Sequence, residues 1–184
     1  GSEMCIRDSF ERSAIRKSSV VVPNSEATKL DLESRYSASP DWDCEVIHWG
    51  VDTGMFVPLH LDSESDTHTL SEIRKRYGVG HGVKLLLAVG RLAARKGHGL
   101  LLRSFSKVGE STDSHLVIIG RGSLRGRLNR MAARLGISDR VTIESSMSFE
   151  EISEMYRASD LVIYPSYYEG CLLYTSDAAD EEDS

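Results

Sequence analysis

Two basic residues in the second half of the sequence are spaced as a diphosphate would require. Arg91 and Lys96 stand five residues apart, directly after the apolar segment 83–89, and Gly90 precedes them. An arginine fork and a mobile ammonium together match the two phosphates of a diphosphate, and glycine lets the main chain approach closely. Solvated charges on an ordinary exposed loop would give the same pattern, so the spacing alone leaves both interpretations open.

A carboxylate follows another apolar segment farther along the chain. Glu169 and Gly170 come shortly after residues 160–165. If this loop faces the crevice that holds Arg91 and Lys96, the carboxylate can accept hydrogen bonds from sugar hydroxyls. The alternative is a surface glutamate in a turn.

A glycine-rich loop spans residues 120–126. Its glycines are Gly120, Gly122 and Gly126, and Glu144 ends the next apolar segment. The spacing is GxGxxxG, whereas dinucleotide-binding proteins have GxGxxG, so a tight turn before a helix explains it as well as a pyrophosphate site does. An NAD- or S-adenosylmethionine-binding domain therefore stays open at this point.

The elements that must position these loops are strands buried on both faces. Short runs rich in Val, Ile and Leu, without polar alternation, occupy residues 83–89, 115–119, 140–144 and 160–165. Helices are predicted between them. One carries an apolar stripe and ends at Gly136, and another begins at Ser148, which is followed by Glu150 and Glu151. The alternation predicts an α/β fold with a Rossmann-like parallel sheet.

Upstream of residue 83 the pattern is sparser. Residues 18–23 and 44–49 are predicted strands, and Ser25 is the predicted cap of a helix that reaches about residue 36. The polar stretch 58–69 predicts an irregular linker and hence a domain boundary.

Composition excludes several classes of protein. An apolar fraction of 40% is too high for a disordered chain, and no apolar run approaches the ~18 residues of a membrane span. Cys5, Cys44 and Cys171 are odd in number and widely spaced, which favours a reducing, cytoplasmic compartment over a disulfide framework. We expect no metal site, because no paired His, Cys or Asp spacing occurs. Residues 10–170 have equal numbers of acidic and basic residues, which argues against a nucleic-acid partner.

The two ends differ in character from the rest of the chain. Residues 1–9 and the acidic segment 171–184 resemble translated sequencing-library adapter, as found at the ends of metagenomic reading frames. We expect both segments to be extraneous and the chain to be a fragment of a longer protein.

Five motifs in order resemble the family-4 retaining glycosyltransferases of the GT-B fold. They are VIHWGVDTGMFVP (46–58), LLAVGRLAARKG (86–97), LVIIGRGSLRGRL (116–128), DRVTIES (139–145) and YRASDLVIYPSYYEG (156–170). The resemblance implies the end of an N-terminal acceptor domain at 10–45, an interdomain connection and linker at 46–69, and an incomplete C-terminal donor domain at 70–170.

The resemblance also implies a chemistry. Arg91 and Lys96 would bind the diphosphate of a nucleotide sugar and neutralise the charge that grows on the leaving nucleotide. Glu169 would lie beside the donor sugar, Met147 would pack near the base, and Gly90 and Gly170 would line the donor site. Transfer would need no metal or cofactor. The acceptor would be a glycan, a lipid or a small molecule, and the N-terminal domain could make peripheral membrane contact. The fragment itself would be inactive.

The sequence departs from the family pattern in places. The family usually has an acidic residue at the position of Arg121, proline at Ser123 and glycine at Ser145. The second family glutamate would fall near Asp177, where the surrounding sequence does not match, so no role is transferred to that residue. A non-catalytic nucleotide-binding or partner-binding module stays a second hypothesis.

Overall fold

The computed structural model describes residues 12–15, 17–36, 43–57, 64–108 and 112–167. The chain forms two compact units, which divide after Val51. The division falls inside the stretch 46–69 that the sequence assigns to an interdomain connection. The segments 1–9 and 171–184, which the sequence predicts to be extraneous, lie outside the described residues.

The first unit contains a parallel pair of short strands. β1 (Val20–Val21) pairs with β2 (Asp43–Cys44), and helix α1 (Glu26–Tyr36) lies between them in the chain. The predicted cap of α1 is confirmed, because the Ser25 hydroxyl accepts a hydrogen bond from the Thr28 N–H at 3.1 Å. Both strands are shorter than the segments 18–23 and 44–49 from which they were predicted.

The second unit is built on a four-stranded parallel sheet. Its strands are β3 (Lys84–Val89), β4 (Ser114–Ile119), β5 (Val141–Glu144) and β6 (Leu161–Val162), arranged in the order β5-β4-β3-β6. The helices are α2 (Glu64–Arg76), α3 (His98–Val108), α4 (Arg125–Arg134) and α5 (Phe149–Ala158), with a 3-10 turn at Ala94–Lys96. The predicted Rossmann-like parallel sheet is confirmed.

The linker prediction for residues 58–69 is wrong over its second half. Helix α2 begins at Glu64, six residues before the apolar residues that hold it. Leu70 is buried and Ile73 is half-buried, and both pack in a cluster that includes Met155 of α5. The first turns of α2 carry only polar residues, so the sequence there lacks the apolar period that would have indicated a helix.

Apolar layers cover both faces of the sheet. Leu85 and Leu87 pack with α2 and α5, whereas Ala88, Leu116 and Ile118 pack with α3 and α4. Successive strand residues point to opposite faces, so strands covered on both sides need the continuous apolar runs that the sequence shows.

Two helix termini follow the sequence signals closely. Ser148 and Glu151 form a reciprocal capping box at the start of α5, with hydrogen bonds of 3.2 and 2.8 Å. Gly136 has a φ of 69° just after α4, the left-handed conformation that favours glycine there. Both ends were predicted from these residues.

The beginning of the second unit packs on α5. The Ser153 hydroxyl donates a hydrogen bond to the Met55 carbonyl oxygen at 2.8 Å, and the Phe56 ring meets Tyr156 edge-on at 6.2 Å between ring centroids. These contacts tie residues 52–57 to the body of this unit.

Asp160 joins β6 to the start of β3. Its carboxylate accepts hydrogen bonds from the Leu85 N–H at 2.8 Å, from Arg74 at 2.9 Å and from Lys84 at 3.1 Å. Partial burial alone would raise the pKa of this carboxyl, but the donors at Leu85, Lys84 and Arg74 outweigh burial and lower it. The charged form is therefore the one that stabilises the fold.

We expect Asp160→Asn to lower the free energy of unfolding by about 1 to 2 kcal/mol at pH 7, because the amide has no negative charge for Arg74 and Lys84 and only one oxygen that can accept. A carboxyl with a lowered folded-state pKa stabilises above its unfolded pKa of about 3.9, and this contribution is lost as the pH falls through the folded value. Urea unfolding at pH 7 and below pH 4 should show the difference shrinking in acid. Asp113→Asn, an exposed carboxylate, is the control, and an equal loss there would contradict the assignment.

Candidate functional site

A cleft of about 300 Å³ opens at the carboxyl ends of three parallel strands. The loops after β3, β4 and β5 all contribute to its lining, through Gly90, Arg91, Gly120, Arg121 and Met147 among others. Ligands of open α/β sheets bind at this edge, where the strand ends and helix starts converge. The fold thus brings three of the predicted site residues, Gly90, Arg91 and Met147, into one cleft.

The floor of the cleft is a close approach of two main chains. The Gly90 N–H donates to the Ile119 carbonyl oxygen at 2.9 Å, and the Leu92 N–H donates to the Arg121 carbonyl oxygen at 2.9 Å. A Cβ on Gly120 would overlap the Gly90 carbonyl oxygen, and one on Gly122 would overlap the main chain of Leu92. These contacts explain both glycines by packing between loops, without a dinucleotide.

The two predicted cations differ in their surroundings. Arg91 is exposed and lines the cleft. Lys96 is half-buried, and its alkyl chain runs over Gly90: a Cβ built on that glycine would lie 3.8 Å from Lys96 Cδ. Lys96 therefore lies at the end of β3, on the same loop as Arg91.

The turn that carries Lys96 packs against the segment after β6. Gly97 has a φ of 66°, and a Cβ on it would overlap the carbonyl oxygen of Pro165. Tyr167 N–H donates to the Arg95 carbonyl oxygen at 2.9 Å. The chain that leads to Glu169 and Gly170 is thus held at the Lys96 turn as far as Tyr167. Glu169 and Gly170 themselves lie outside the described residues.

The far wall of the cleft comes from the loop after β5. Met147 is half-buried, packs against the core and lines the cleft together with Phe149, which is 69% exposed. Across the cleft, the Arg121 guanidinium donates to the Ser146 hydroxyl at 3.0 Å. This bridge uses the arginine at which the sequence departs from the family pattern, and sequence reasoning did not predict it.

His98 is a titratable side chain beside the cleft that was left out of the predicted site, because a lone histidine at a helix start is more often structural than catalytic. It begins helix α3, is only 3% exposed, and its Nε2 would lie 4.0 Å from a Cβ on Gly90. Burial lowers the pKa of its imidazole, an effect that the nearby main chain of Arg91 and Gly90 opposes and Lys96 reinforces. Its position two residues after Lys96 was the available signal.

Two structural features are missing from the described residues. No group of three or more His, Cys, Asp or Glu side chains in that part of the chain could hold a metal ion. Among the helices so described, none is both long enough and apolar enough to cross a membrane.

Comparison with known proteins identifies the family. The signature of glycosyl transferases group 1 matches residues 71–171, more than half of the chain and the whole span of the cleft loops. The chain belongs to the glycosyl transferases group 1 family. The strand, glycine loop and capping-box helix described above are therefore features of a member of this family.

Curated and solved relatives agree with this membership. The D-inositol 3-phosphate glycosyltransferase of Mycolicibacterium smegmatis is 32% identical over 164 residues, which cover 86% of this chain and 35% of that protein. Among solved structures, sucrose-phosphate synthase from Thermosynechococcus elongatus has a TM-score of 0.72 at 20% identity, covering 94% of this chain and 41% of that one. Anabaena HepE in complex with UDP-glucose has a TM-score of 0.69 at 23% identity, with 85% and 41% covered.

These structural likenesses show the GT-B fold. The chain spans about a third of the curated relative's length and about two fifths of each solved chain.

Proposed function

We propose that this chain carries the donor-binding part of a glycosyltransferase, which transfers a sugar from a nucleoside-diphosphate sugar to an acceptor with retention of configuration. The observation that carries the proposal is the cleft at the ends of β3, β4 and β5, with Arg91 in its lining and Lys96 beside Gly90. Family membership supports the reaction class. The solved complex of Anabaena HepE with UDP-glucose supports the donor class.

The roles of Arg91, Lys96 and Gly90 are proposed from their positions, and those of Met147, Glu169 and Gly170 from the family resemblance. Arg91 and Lys96 bind the two phosphates, and Gly90 lets the diphosphate approach the end of β3. As the bond between the anomeric carbon and the phosphate oxygen breaks, negative charge grows on the nucleoside diphosphate, and two fixed cations stabilise it without reorganising. Met147 packs near the base, while Glu169 and Gly170 act on the sugar side. We propose that these groups suffice without a metal or cofactor, in the cytoplasm.

The acceptor is proposed only as a class: a glycan, a lipid or a small molecule. The named relatives act on different acceptors, since one is a D-inositol 3-phosphate glycosyltransferase and another a sucrose-phosphate synthase. The experiment therefore measures binding of the donor and not transfer to an acceptor.

Calorimetric titration of the full chain with matched ligands tests the proposal. UDP-, GDP- and ADP-glucose are compared with the corresponding monophosphates, with NAD and with S-adenosylmethionine. We expect one of the nucleoside-diphosphate sugars to bind at least tenfold more tightly than the corresponding nucleoside monophosphate, because each of its two phosphates has a cation to bind. Tighter binding of NAD or S-adenosylmethionine than of every nucleotide sugar would overturn the proposal in favour of the alternative Rossmann classes.

A further inference from the structure

His98 is a buried side chain at the edge of the proposed diphosphate site. Neither Nδ1 nor Nε2 of its ring makes a hydrogen bond of good geometry, although the residue is only 3% exposed, and main-chain groups of Gly90 and Arg91 lie close enough to favour its protonated form. Buried polar groups in folded proteins are nearly always paired, so an unpaired one calls for a ligand or a functional reason. Its Nε2 lies over Gly90, in the same space as the alkyl chain of Lys96.

The charged side chains around His98 are basic. Lys96 precedes it in the loop and opposes its protonation. Arg103 of α3, Arg127 of α4 and the phenol of Tyr167 line a cavity of about 200 Å³ together with His98. None of the carboxylates in the described part of the chain contributes to the titration of this imidazole. In the free protein burial, helped by the charge of Lys96, lowers the pKa of the ring against the opposing main-chain contacts of Arg91 and Gly90, and so favours the neutral form.

A bound diphosphate would reverse that balance. It would neutralise Lys96 and Arg91 and bring two negative charges to the loop that His98 packs against. A charge of opposite sign within about 4–6 Å favours the protonated form of a base. Because the site is partly buried, solvent screens this interaction less than it would at an exposed surface.

We propose that binding of a nucleotide sugar at Arg91 and Lys96 promotes protonation of His98 by solvent, so that the imidazolium becomes a third cation beside the diphosphate. This inference rests on the proposed function and adds to it a residue and a proton linkage. The proton linkage makes donor affinity depend on pH, because the nucleotide sugar binds more tightly to the protein in which His98 is protonated.

The expected effect is a tightening of donor binding as the pH falls. If the ligand raises the pKa of His98 by about one unit, affinity increases about tenfold between pH 8 and a pH below the free-protein value. The increase is lost above the bound-state pKa, where His98 is neutral with or without ligand.

Calorimetry with a non-titrating ligand measures the proton directly. Each phosphate of UDP-glucose has one ester and one anhydride bond, so its single ionisable oxygen stays charged between pH 5 and 8, whereas a terminal phosphate titrates near pH 6. UDP-glucose, or whichever nucleotide sugar binds in the panel above, is titrated at pH 6.5 in buffers of different ionisation enthalpy. The slope of apparent enthalpy against buffer enthalpy should show uptake of a fraction of a proton, and His98→Gln should abolish it.

The matched control is His115→Gln. Burial also lowers the pKa of His115, but this residue lies at the opposite end of β4 and its Nε2 already hydrogen-bonds Thr142 at 2.9 Å. We expect His115→Gln to leave proton uptake unchanged. Histidine ring NMR of the unsubstituted protein, with and without ligand, gives the same answer if His98→Gln fails to fold.

The possible outcomes separate this inference from the proposed function. If no nucleotide sugar binds, both are wrong. If one binds with proton uptake that His98→Gln leaves intact, or with no uptake, then only the role of His98 is overturned. Uptake that depends on His98 and not on His115 supports both.

Discussion

Gly97→Ala is expected to lower the free energy of unfolding by about 3 kcal/mol. A left-handed backbone costs an alanine roughly 1 to 2 kcal/mol, and forcing extra volume into a packed site typically costs a further 1 to 3 kcal/mol. At Gly97, which has a φ of 66°, the added Cβ would overlap the Pro165 carbonyl oxygen and stand 2.8 Å from the Pro165 carbonyl carbon. Both atoms belong to the main chain, so relief requires the segment after β6 to move.

Gly136→Ala separates the two costs. Gly136 has nearly the same φ, 69°, but a Cβ built on it meets nothing within 4 Å. We expect this control to lose only the conformational part, about 1 kcal/mol. Urea unfolding of both variants and the unsubstituted chain gives the comparison. Equal losses at the two glycines would show that the Pro165 contact contributes nothing to stability.

The Gly97 contact also illustrates what the sequence could not predict. Glycine after Lys96 was visible as part of a loop motif, but its partner, Pro165, lies 68 residues later. The pattern of apolar residues along a segment indicates whether it is buried, and the residue type at a helix start indicates its cap. The buried strands and the Ser148 cap were therefore predictable from local residues. The approach of two loops across a sheet is set by strand order, which no local pattern encodes.

The same limit explains the error at α2 and why the burial of His98 was not predicted. Helix α2 is held by contacts of Leu70 and Ile73 with residues of α5, so its polar first turns gave no local signal. His98 looked like a histidine at a helix start, and only the fold shows that its ring is buried over Gly90. By contrast, Arg91 was placed correctly at the strand end, because one strand and its following loop are contiguous in sequence.

Lys96→Ala and Arg91→Ala should each weaken nucleotide-sugar binding by about 10- to 100-fold. A hydrogen bond to a charged group contributes about 1.5 to 3 kcal/mol, and each cation would lose at least one such bond to a phosphate. Arg91 is exposed and Lys96 only half-buried, so we expect unfolding free energies to stay within about 0.5 kcal/mol of the original. Calorimetric titration and urea unfolding of the same samples measure both quantities.

Arg95→Ala is the matched control for these losses. Arg95 precedes Lys96 in the same 3-10 turn, is exposed and carries the same charge, so its removal changes the long-range field near the loop equally. We expect less than a threefold loss of affinity, because distant exposed charges are screened by salt. A loss as large as that of Lys96→Ala would mean that general positive charge, and not a defined pair of phosphate ligands, binds the donor.

The ligand supplies the second half of the comparison. If Lys96 binds the phosphates, Lys96→Ala must lower the affinity for the nucleotide sugar. The affinity for the corresponding free nucleoside should stay unchanged, since the nucleoside has no phosphate for the ammonium to contact. The difference between the two losses is the coupling energy of Lys96 with the diphosphate. Equal fractional losses for both ligands would place the effect in the shape of the cleft, and Arg91 and Lys96 would then not be the diphosphate-binding pair.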